Sequence, residues 1–192
     1  MTKLEQAFEK FDEYNKQAPE IVTWEGVIYP SEYFYAIKLH EWVKKLAPNA
    51  SEALLLASRC QHIGRWEIAR NQYPEGRVGY LTWRSDLSRF HAEKAASLLG
   101  GVGYDQSTID RVKEIVRKQK LKSDEEVQTI ENALCLVFLQ YQFDELIAKL
   151  SSEKMISILR KTWGKMSEPG QVAAQTLSYS VEAQALLSEA LQ

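Results

Sequence analysis

Hydrophobic positions along this chain recur every three or four residues, the spacing that places side chains on one face of an α-helix. The first such stripe lies in residues 3–16 and is formed by Leu4, Phe8, Phe11 and Tyr14. No segment shows a convincing alternation of apolar and polar residues with the period of two that marks a half-buried strand. The pattern therefore predicts an all-α fold.

Capping residues, glycine and proline indicate where these helices begin and end. Ser51, Asp105 and the pair Ser123 with Glu126 predict three helix starts, and Gly100-Gly101 predicts a helix stop. The aromatic-rich stretch from Trp24 to Pro30 and the Pro- and Gly-containing residues 65–80 are interpreted as loops. The predicted helices cover 3–16, 31–47, 51–64, 82–99, 105–120, an apolar sixth helix from 123, and two segments near 152–166 and 169–190.

Residues 1–192 are thus predicted to form a single all-helical domain, a bundle of about eight or nine helices. A length of 192 residues suits one domain, and 24 basic against 26 acidic residues argue against bulk nucleic-acid binding.

The two cysteines fit a reduced intracellular protein better than a disulfide framework. Residues 1–20 do not resemble a signal peptide, and no apolar run reaches the roughly 18 residues of a membrane span. We expect a cytoplasmic protein with no membrane partner, and the sequence leaves the oligomeric state open, a homodimer included.

Arginine is concentrated in the middle of the chain. Between residues 59 and 94 there are seven Lys or Arg but four Asp or Glu, a surplus of three positive charges. The arginine guanidinium is a rigid fork of donors that matches phosphate and carboxylate. Some arginines could pair with acidic residues of the same stretch, but the surplus predicts a pocket for a small anionic or phosphorylated ligand. The candidate substrate-binding residues are Arg59, Arg65, Arg70, Arg77 and Arg84.

Aromatic residues lie between these arginines. Trp66, Tyr73, Tyr80 and Trp83 could stack on a nucleobase or could pack the loop onto the core. We favour packing for Trp83 and leave Trp66 and Tyr73 open.

All three histidines, His40, His62 and His91, are arranged along the chain in an order that resembles the HD-domain superfamily of helical metal-dependent phosphohydrolases. In this resemblance Gln61 stands where the superfamily has the His of its His-Asp pair, and His62 stands where it has the Asp. His91 matches a later His, and Asn132 replaces the late Asp. The resemblance implies catalytic roles for Gln61, His62 and Arg65.

The same resemblance implies a divalent metal ion, namely zinc, manganese or iron. The candidate ligands are His40, His62, His91 and Asn132, with Glu131 or water as alternatives to Asn132. Three imidazoles and an open position suit zinc. Alternatively, His62 and His91 are hydrogen-bonded partners of acidic residues in a polar interior.

A second resemblance covers nearly the whole chain. The run from Cys60 to Lys94, the segment Val127-Gln128-Thr129 and the segment from Leu159 to Trp163 resemble the uncharacterised domain-of-unknown-function family 4202. This chain departs from the usual family pattern at Ala69, where Pro is usual, and at Asn132, where Asp is usual.

Two functions follow as hypotheses. The first is an HD-like, metal-dependent hydrolase of a small phosphorylated metabolite or nucleotide, in which the arginines bind the phosphate. The second is a non-catalytic anion- or nucleotide-binding regulatory module on a degenerate HD-like fold, since Gln61 and Asn132 weaken the expected metal site. A role on nucleic acid is disfavoured because the chain lacks a basic helix.

Overall fold

Ten α-helices, two short 3₁₀ helices and one β-hairpin form the chain in a computed structural model, which describes all residues from 1 to 192. The 3₁₀ helices are Arg65–Glu67 and Arg70–Gln72, and the hairpin consists of β1 (Ile21–Trp24) and β2 (Val27–Pro30). The α-helices are α1 (Lys3–Asn15), α2 (Ser31–Leu46), α3 (Glu52–Cys60), α4 (Gly76–Val102), α5 (Gln106–Val116), α6 (Glu125–Tyr141), α7 (Phe143–Ile147), α8 (Ser152–Lys165), α9 (Glu168–Gln175) and α10 (Val181–Ala190).

The capping residues read from the sequence are partly confirmed. Ser51 Oγ accepts a hydrogen bond from the Leu54 amide at 3.2 Å, and Asp105 Oδ1 accepts one from the Thr108 amide at 2.9 Å. The predicted Ser123 cap is wrong, because Asp124 Oδ1 accepts the amides of Glu126 and Val127 at 3.1 Å. The carboxylate of the residue next to the helix therefore takes the role that was assigned to the Ser123 hydroxyl.

Helix α4 is longer than its sequence indicates. It begins at Gly76, six residues before the predicted start, and it runs through Gly100-Gly101 to Val102. The helix ends at Gly103, which has a φ of 88°, in the left-handed region that glycine adopts at little cost. The Tyr104 amide then donates to the Leu99 carbonyl at 3.0 Å, a bond that closes the helix end.

The segment from Trp24 to Pro30 was predicted as a loop but forms most of an antiparallel hairpin. Trp24 pairs with Val27 across a two-residue turn in which Glu25 and Gly26 have φ angles of 49° and 78°. Positive φ at both turn residues matches the twist of a tight hairpin. The purely all-α prediction is therefore wrong in this detail, and the chain is a mostly helical single domain with a small hairpin.

The hydrophobic core runs through the bundle and draws side chains from α1 to α6 and α8 to α10, together with Phe143 of α7. Helix α6 packs against α2 on one side and α9 on another, and its residues Val127, Ile130, Ala133 and Leu136 are fully buried. Helix α5 packs against both α3 and α4, and the turn after α3, one face of α4 and the end of α5 border one small cavity. Measured by length and apolar character, none of the helices is able to cross a membrane.

Candidate functional site

Two adjoining cavities lie where α3, α4 and α5 meet. The small cavity has a volume of about 230 Å³ and is lined by residues of the turn after α3, by one face of α4 and by the end of α5. The large cleft, of about 720 Å³, extends from there between α2, α6 and α8. Five residues line both spaces: Gln61, His62, Arg65, Arg84 and Lys118.

A tight turn after α3 presents three of these side chains together. The Ile63 amide donates to the Cys60 carbonyl and the Arg65 amide donates to the His62 carbonyl, each at 3.1 Å. Gly64 has a φ of 69°, and a Cβ there would lie 2.8 Å from the ring of Phe90. Glycine is thus required for the turn to close against α4.

The end of α5 is tied to this turn by Gln61. Its side-chain Nε2 donates to the Val116 carbonyl at 2.9 Å, so Arg117 and Lys118 follow directly at the small cavity. Lys118 has a φ of 52°, a left-handed conformation that is uncommon for a residue with a side chain. Such strained residues concentrate at functional sites.

Helix α4 contributes residues spaced so that they share one face. Arg84, Ser88 and His91 occupy positions i, i+4 and i+7 and all line the small cavity. The ring centroids of His62 and His91 are 5.8 Å apart. The fold therefore brings together five residues that the sequence singled out: Gln61, His62, Arg65, Arg84 and His91.

The protonation state of His91 follows from its hydrogen bond. Its Nδ1 lies 2.7 Å from the Ile63 carbonyl oxygen, which can only accept, so Nδ1 carries the proton. Burial lowers the pKa of His91 to about 4, opposed by the bond to Ile63 and helped by Arg65 and Arg84. At neutral pH the ring is uncharged, and Nε2 is left with a free lone pair.

His62 is also held neutral. Burial lowers its pKa well below the ordinary value, and Arg65, His91, Lys118 and Arg84 lower it further. The cavity thus contains two adjacent neutral imidazoles surrounded by fixed positive charge.

The charges around the small cavity are not balanced. Arg65, Arg84, Arg117 and Lys118 line it, and no carboxylate does. The arginines that form ion pairs in this protein are Arg59, Arg89 and Arg111, so three of the four cavity cations have no acidic partner. Arg65 instead lies over the ring of Trp83, with its Cζ 5.2 Å from the ring centroid.

Lys118 does have a carboxylate partner, on the large-cleft side. Glu131 is 4% exposed and forms ion pairs with Lys118 and, at 3.8 Å, with Lys165. A buried carboxylate needs such partners. The Lys118 ammonium therefore lies between Glu131 and the small cavity.

Three of the predicted substrate-binding arginines lie elsewhere. Arg59 makes an ion pair with Asp12 and lies over the ring of Phe8, 5.1 Å from its centroid, so its charge is used in packing α3 onto α1. Arg70 Nη1 donates to the Tyr73 carbonyl at 3.0 Å and lines neither cavity. Arg77 is exposed and also lines neither cavity.

The four predicted metal ligands do not converge. His40 Nδ1 lies 2.8 Å from Ser58 Oγ, its ring packs edge-on against Phe8, and it lines neither cavity. Asn132 donates to Ser167 Oγ at 2.8 Å and accepts from the Ser167 amide at 2.9 Å, so its amide is used to hold the start of α9. No group of three or more His, Cys, Asp or Glu side chains could hold a metal ion. These residues therefore do not fit one metal centre.

The aromatic residues between the arginines mainly pack. Trp83 is 8% exposed and its Nε1 donates to the Ile68 carbonyl at 2.9 Å, which confirms the packing role expected for it. Trp66 stacks on Tyr14, and Tyr73 donates its hydroxyl to Asp86 at 2.9 Å. Of the four, only Tyr80 lines the large cleft.

Three site residues were missed by sequence reasoning. Arg117 and Lys118 lie more than fifty residues after His62 in the sequence, and the hydrogen bond from Gln61 to Val116 is what brings them to it. Glu32, in the first turn of α2, lines the large cleft with Arg65, and burial raises its pKa to about 7. The basic residues Arg117, Lys118 and Lys120 form a short segment that was a signal for Arg117 and Lys118. No sequence pattern marks Glu32 as a site residue.

Similarity to known families covers most of this chain. Neither a curated protein nor a solved structure matches the chain, and nothing found supports the resemblance to the HD-domain superfamily, which stays a prediction. A family model described as Domain of unknown function (DUF4202) matches residues 5–187. Since this match covers almost the entire sequence, the chain belongs to the DUF4202 family.

Proposed function

We propose that this protein binds a small phosphorylated compound, with the phosphate group in the small cavity and the remainder of the molecule in the large cleft. The observation that carries the proposal is the charge imbalance: Arg65, Arg84 and Arg117 line the cavity without a carboxylate partner. Arginine forms strong, bidentate bonds with phosphate oxygens. A phosphate dianion would neutralise charges that the protein leaves uncompensated.

The two imidazoles would respond to such a ligand. With Nδ1 bound to the Ile63 carbonyl, His91 offers only the Nε2 lone pair to the cavity, and a phosphate oxygen carries lone pairs as well. A bound dianion would raise the pKa of His91, because negative charge nearby favours the protonated ring. The pKa of His91 would therefore rise on binding, from about 4 towards its ordinary value.

Titration calorimetry with inorganic phosphate tests the proposal. Arg65→Lys keeps the positive charge but removes the planar fork, so we expect the affinity for phosphate to fall about tenfold or more. Arg77→Lys is the matched control, since Arg77 is exposed and lines neither cavity, and it should leave the affinity unchanged. Absence of phosphate binding by the wild type, or an equal loss in both variants, would reject the proposal.

Hydrolysis of the bound phosphate ester is a second candidate, favoured by the free Nε2 of His91 beside the cavity cations. A neutral imidazole can take a proton from water as the water attacks phosphorus and the ester P–O bond breaks, and the imidazolium then returns this proton to the departing oxygen, which leaves as the alcohol. No step is assigned to a divalent metal, because the four predicted ligands do not fit one ion. Release of inorganic phosphate from simple phosphate esters, and its loss in His91→Asn, would distinguish a hydrolase from a binding module.

A further inference from the structure

Besides its cations, the large cleft is lined by two unpaired carboxylates. Glu20 and Glu32 both line it, and neither side chain makes a hydrogen bond or an ion pair within the protein. Glu32 is half-buried in the first turn of α2, whereas Glu20 precedes β1 and is exposed. Two unpaired carboxylates therefore border the same space that receives Arg65 and Arg84.

Two buried amides add hydrogen-bond acceptors to this cleft. Asn15 and Gln61 line it and are 1% and 4% exposed, and the side-chain oxygen of each has no partner. Their orientation is fixed, because Asn15 Nδ2 donates to the Arg59 carbonyl at 3.2 Å and Gln61 Nε2 donates to the Val116 carbonyl. A flipped amide would place oxygen against a carbonyl oxygen. Leaving such buried oxygens unpaired is unfavourable, so the cleft favours a ligand that donates hydrogen bonds.

The other cations near this region are already paired. Lys118 and Lys165 face Glu131, and Lys149 of the loop after α7 is bound to Glu145. Arg65 lowers the pKa of the Glu32 carboxyl but does not form an ion pair with it. The unpaired carboxylates thus have no internal cation to neutralise them.

We propose that the ligand is an aminoalkyl phosphate, whose ammonium group binds at Glu32 and Glu20 while its phosphate lies among Arg65, Arg84 and Arg117. This inference rests on the proposed phosphate site and names the class of ligand for it. An ammonium group supplies three donors and one positive charge, which match the carboxylates and amide oxygens of the cleft. Because Arg65 and Glu32 line the same cleft without forming an ion pair, one bridging molecule can contact both.

The electrostatics of Glu32 support the inference. Burial and the nearby Glu20 raise the pKa of Glu32, while Arg65 lowers it. An ammonium group beside the two carboxylates would remove the repulsion between them and return the pKa of Glu32 towards its ordinary value.

Three phosphate esters that share a two-carbon chain separate the effect of the terminal donor group from that of the rest of the molecule. We would titrate the wild type at pH 8 with 2-aminoethyl phosphate, 2-hydroxyethyl phosphate and ethyl phosphate, next to inorganic phosphate. A charge-assisted hydrogen bond is expected to make the aminoethyl ester bind about tenfold or more tightly than the ethyl ester. The hydroxyethyl ester, a neutral donor, should fall between them.

The variant Glu32→Gln identifies the group that recognises the amine. It should remove the preference for the aminoethyl ester while leaving the affinity for ethyl phosphate within about twofold. The variant should fold, because it replaces a carboxylate whose ionised form is disfavoured by burial. Glu41→Gln, on the same helix but outside both cavities, is the control and should keep the preference.

The outcomes separate the two proposals. Equal binding of the aminoethyl and ethyl esters, or tightest binding of the hydroxyethyl ester, would overturn the amine assignment and leave the phosphate site standing. Retention of the amine preference in Glu32→Gln would overturn the role of Glu32. If neither inorganic phosphate nor any ester binds, the phosphate site is wrong and the amine assignment is wrong with it.

Discussion

His91 is buried as a neutral ring in a folded protein, but it would be free to take up a proton in the unfolded chain. Its folded-state pKa is about 4, against an ordinary value near 6.5. As the pH falls through 6.5 the unfolded state gains a proton that the folded state does not, so the free energy of unfolding decreases. His40, with a pKa also lowered to about 4, and His62 act in the same direction, whereas Glu32, with a raised pKa, opposes them.

The variant His91→Asn isolates the contribution of His91. The Asn side chain can still donate to the Ile63 carbonyl but does not titrate, so the variant should lose less stability than the wild type between pH 7 and pH 5. From the shift in pKa the difference is at most about 2 kcal/mol. Urea unfolding at the two pH values measures it. Identical pH dependence of both proteins would mean that His91 titrates normally in the folded state.

Individual site residues could be predicted from the sequence where unusual residue types are concentrated in one stretch. His62, His91, Arg65 and Arg84 were recognised because an arginine-rich stretch with two histidines is unusual, and they do share one cavity. Arg59 belongs to the same stretch, but its partner Asp12 is 47 residues away and no local pattern reveals that pair. Lys118 was missed for the same reason, since its place in the site depends on how α5 packs against the turn after α3.

Helix α4 begins where a glycine lets two backbone segments touch. A Cβ at Gly79 would lie 1.9 Å from the Pro74 carbonyl oxygen, so the segment before the helix folds back against its first turn. The start of α4 was not predictable from periodicity, because Val78, Tyr80 and Leu81 are exposed apolar residues and give no buried stripe. The start of α4 is fixed instead by the close approach of the Pro74 backbone to Gly79.

Two glycines of α4 give a matched pair of substitutions. Gly79→Ala should be clearly destabilising, since the clash is with backbone that cannot move without unfolding the segment before α4. Gly100→Ala meets nothing within 4 Å and should stabilise the protein by about 0.5–1 kcal/mol, because alanine is the better helix former. Thermal unfolding of both variants gives the comparison. We expect the changes in melting temperature of the two variants to have opposite signs. An unchanged melting temperature of Gly79→Ala would show that Pro74 does not pack against Gly79.

Helix starts could be predicted from the sequence where the capping side chain bonds to a backbone amide within three residues along the chain. Ser51 and Asp105 were identified correctly because a cap needs only its own side chain and a nearby amide. The hairpin was missed because its strands have four residues each and keep Ile21 and Ile28 exposed, so the alternation is too short to detect. Its inner residues Trp24 and Tyr29 pack against Phe34, a tertiary contact.

Across the whole molecule, the packing of α3, α4 and α5 produces a site that none of these helices contains alone. The turn after α3 supplies His62 and Arg65, α4 supplies Arg84 and His91, and the end of α5 supplies Arg117 and Lys118. The net charge of the chain is -2, yet this cavity is lined by four cations and no carboxylate. Charge is therefore distributed unevenly, as expected for a site that binds an anion.

The three histidines report directly on where an anion binds, because two of them face the small cavity and one does not. We would follow the imidazole nitrogen signals by NMR while adding inorganic phosphate, using His→Asn variants to assign each ring. We predict that phosphate shifts the signals of His62 and His91 and moves them towards the protonated form, while the signals of His40, held against Ser58 and Phe8, stay unchanged. Unchanged signals from His62 and His91 at saturating phosphate, or a shift at His40 alone, would contradict it.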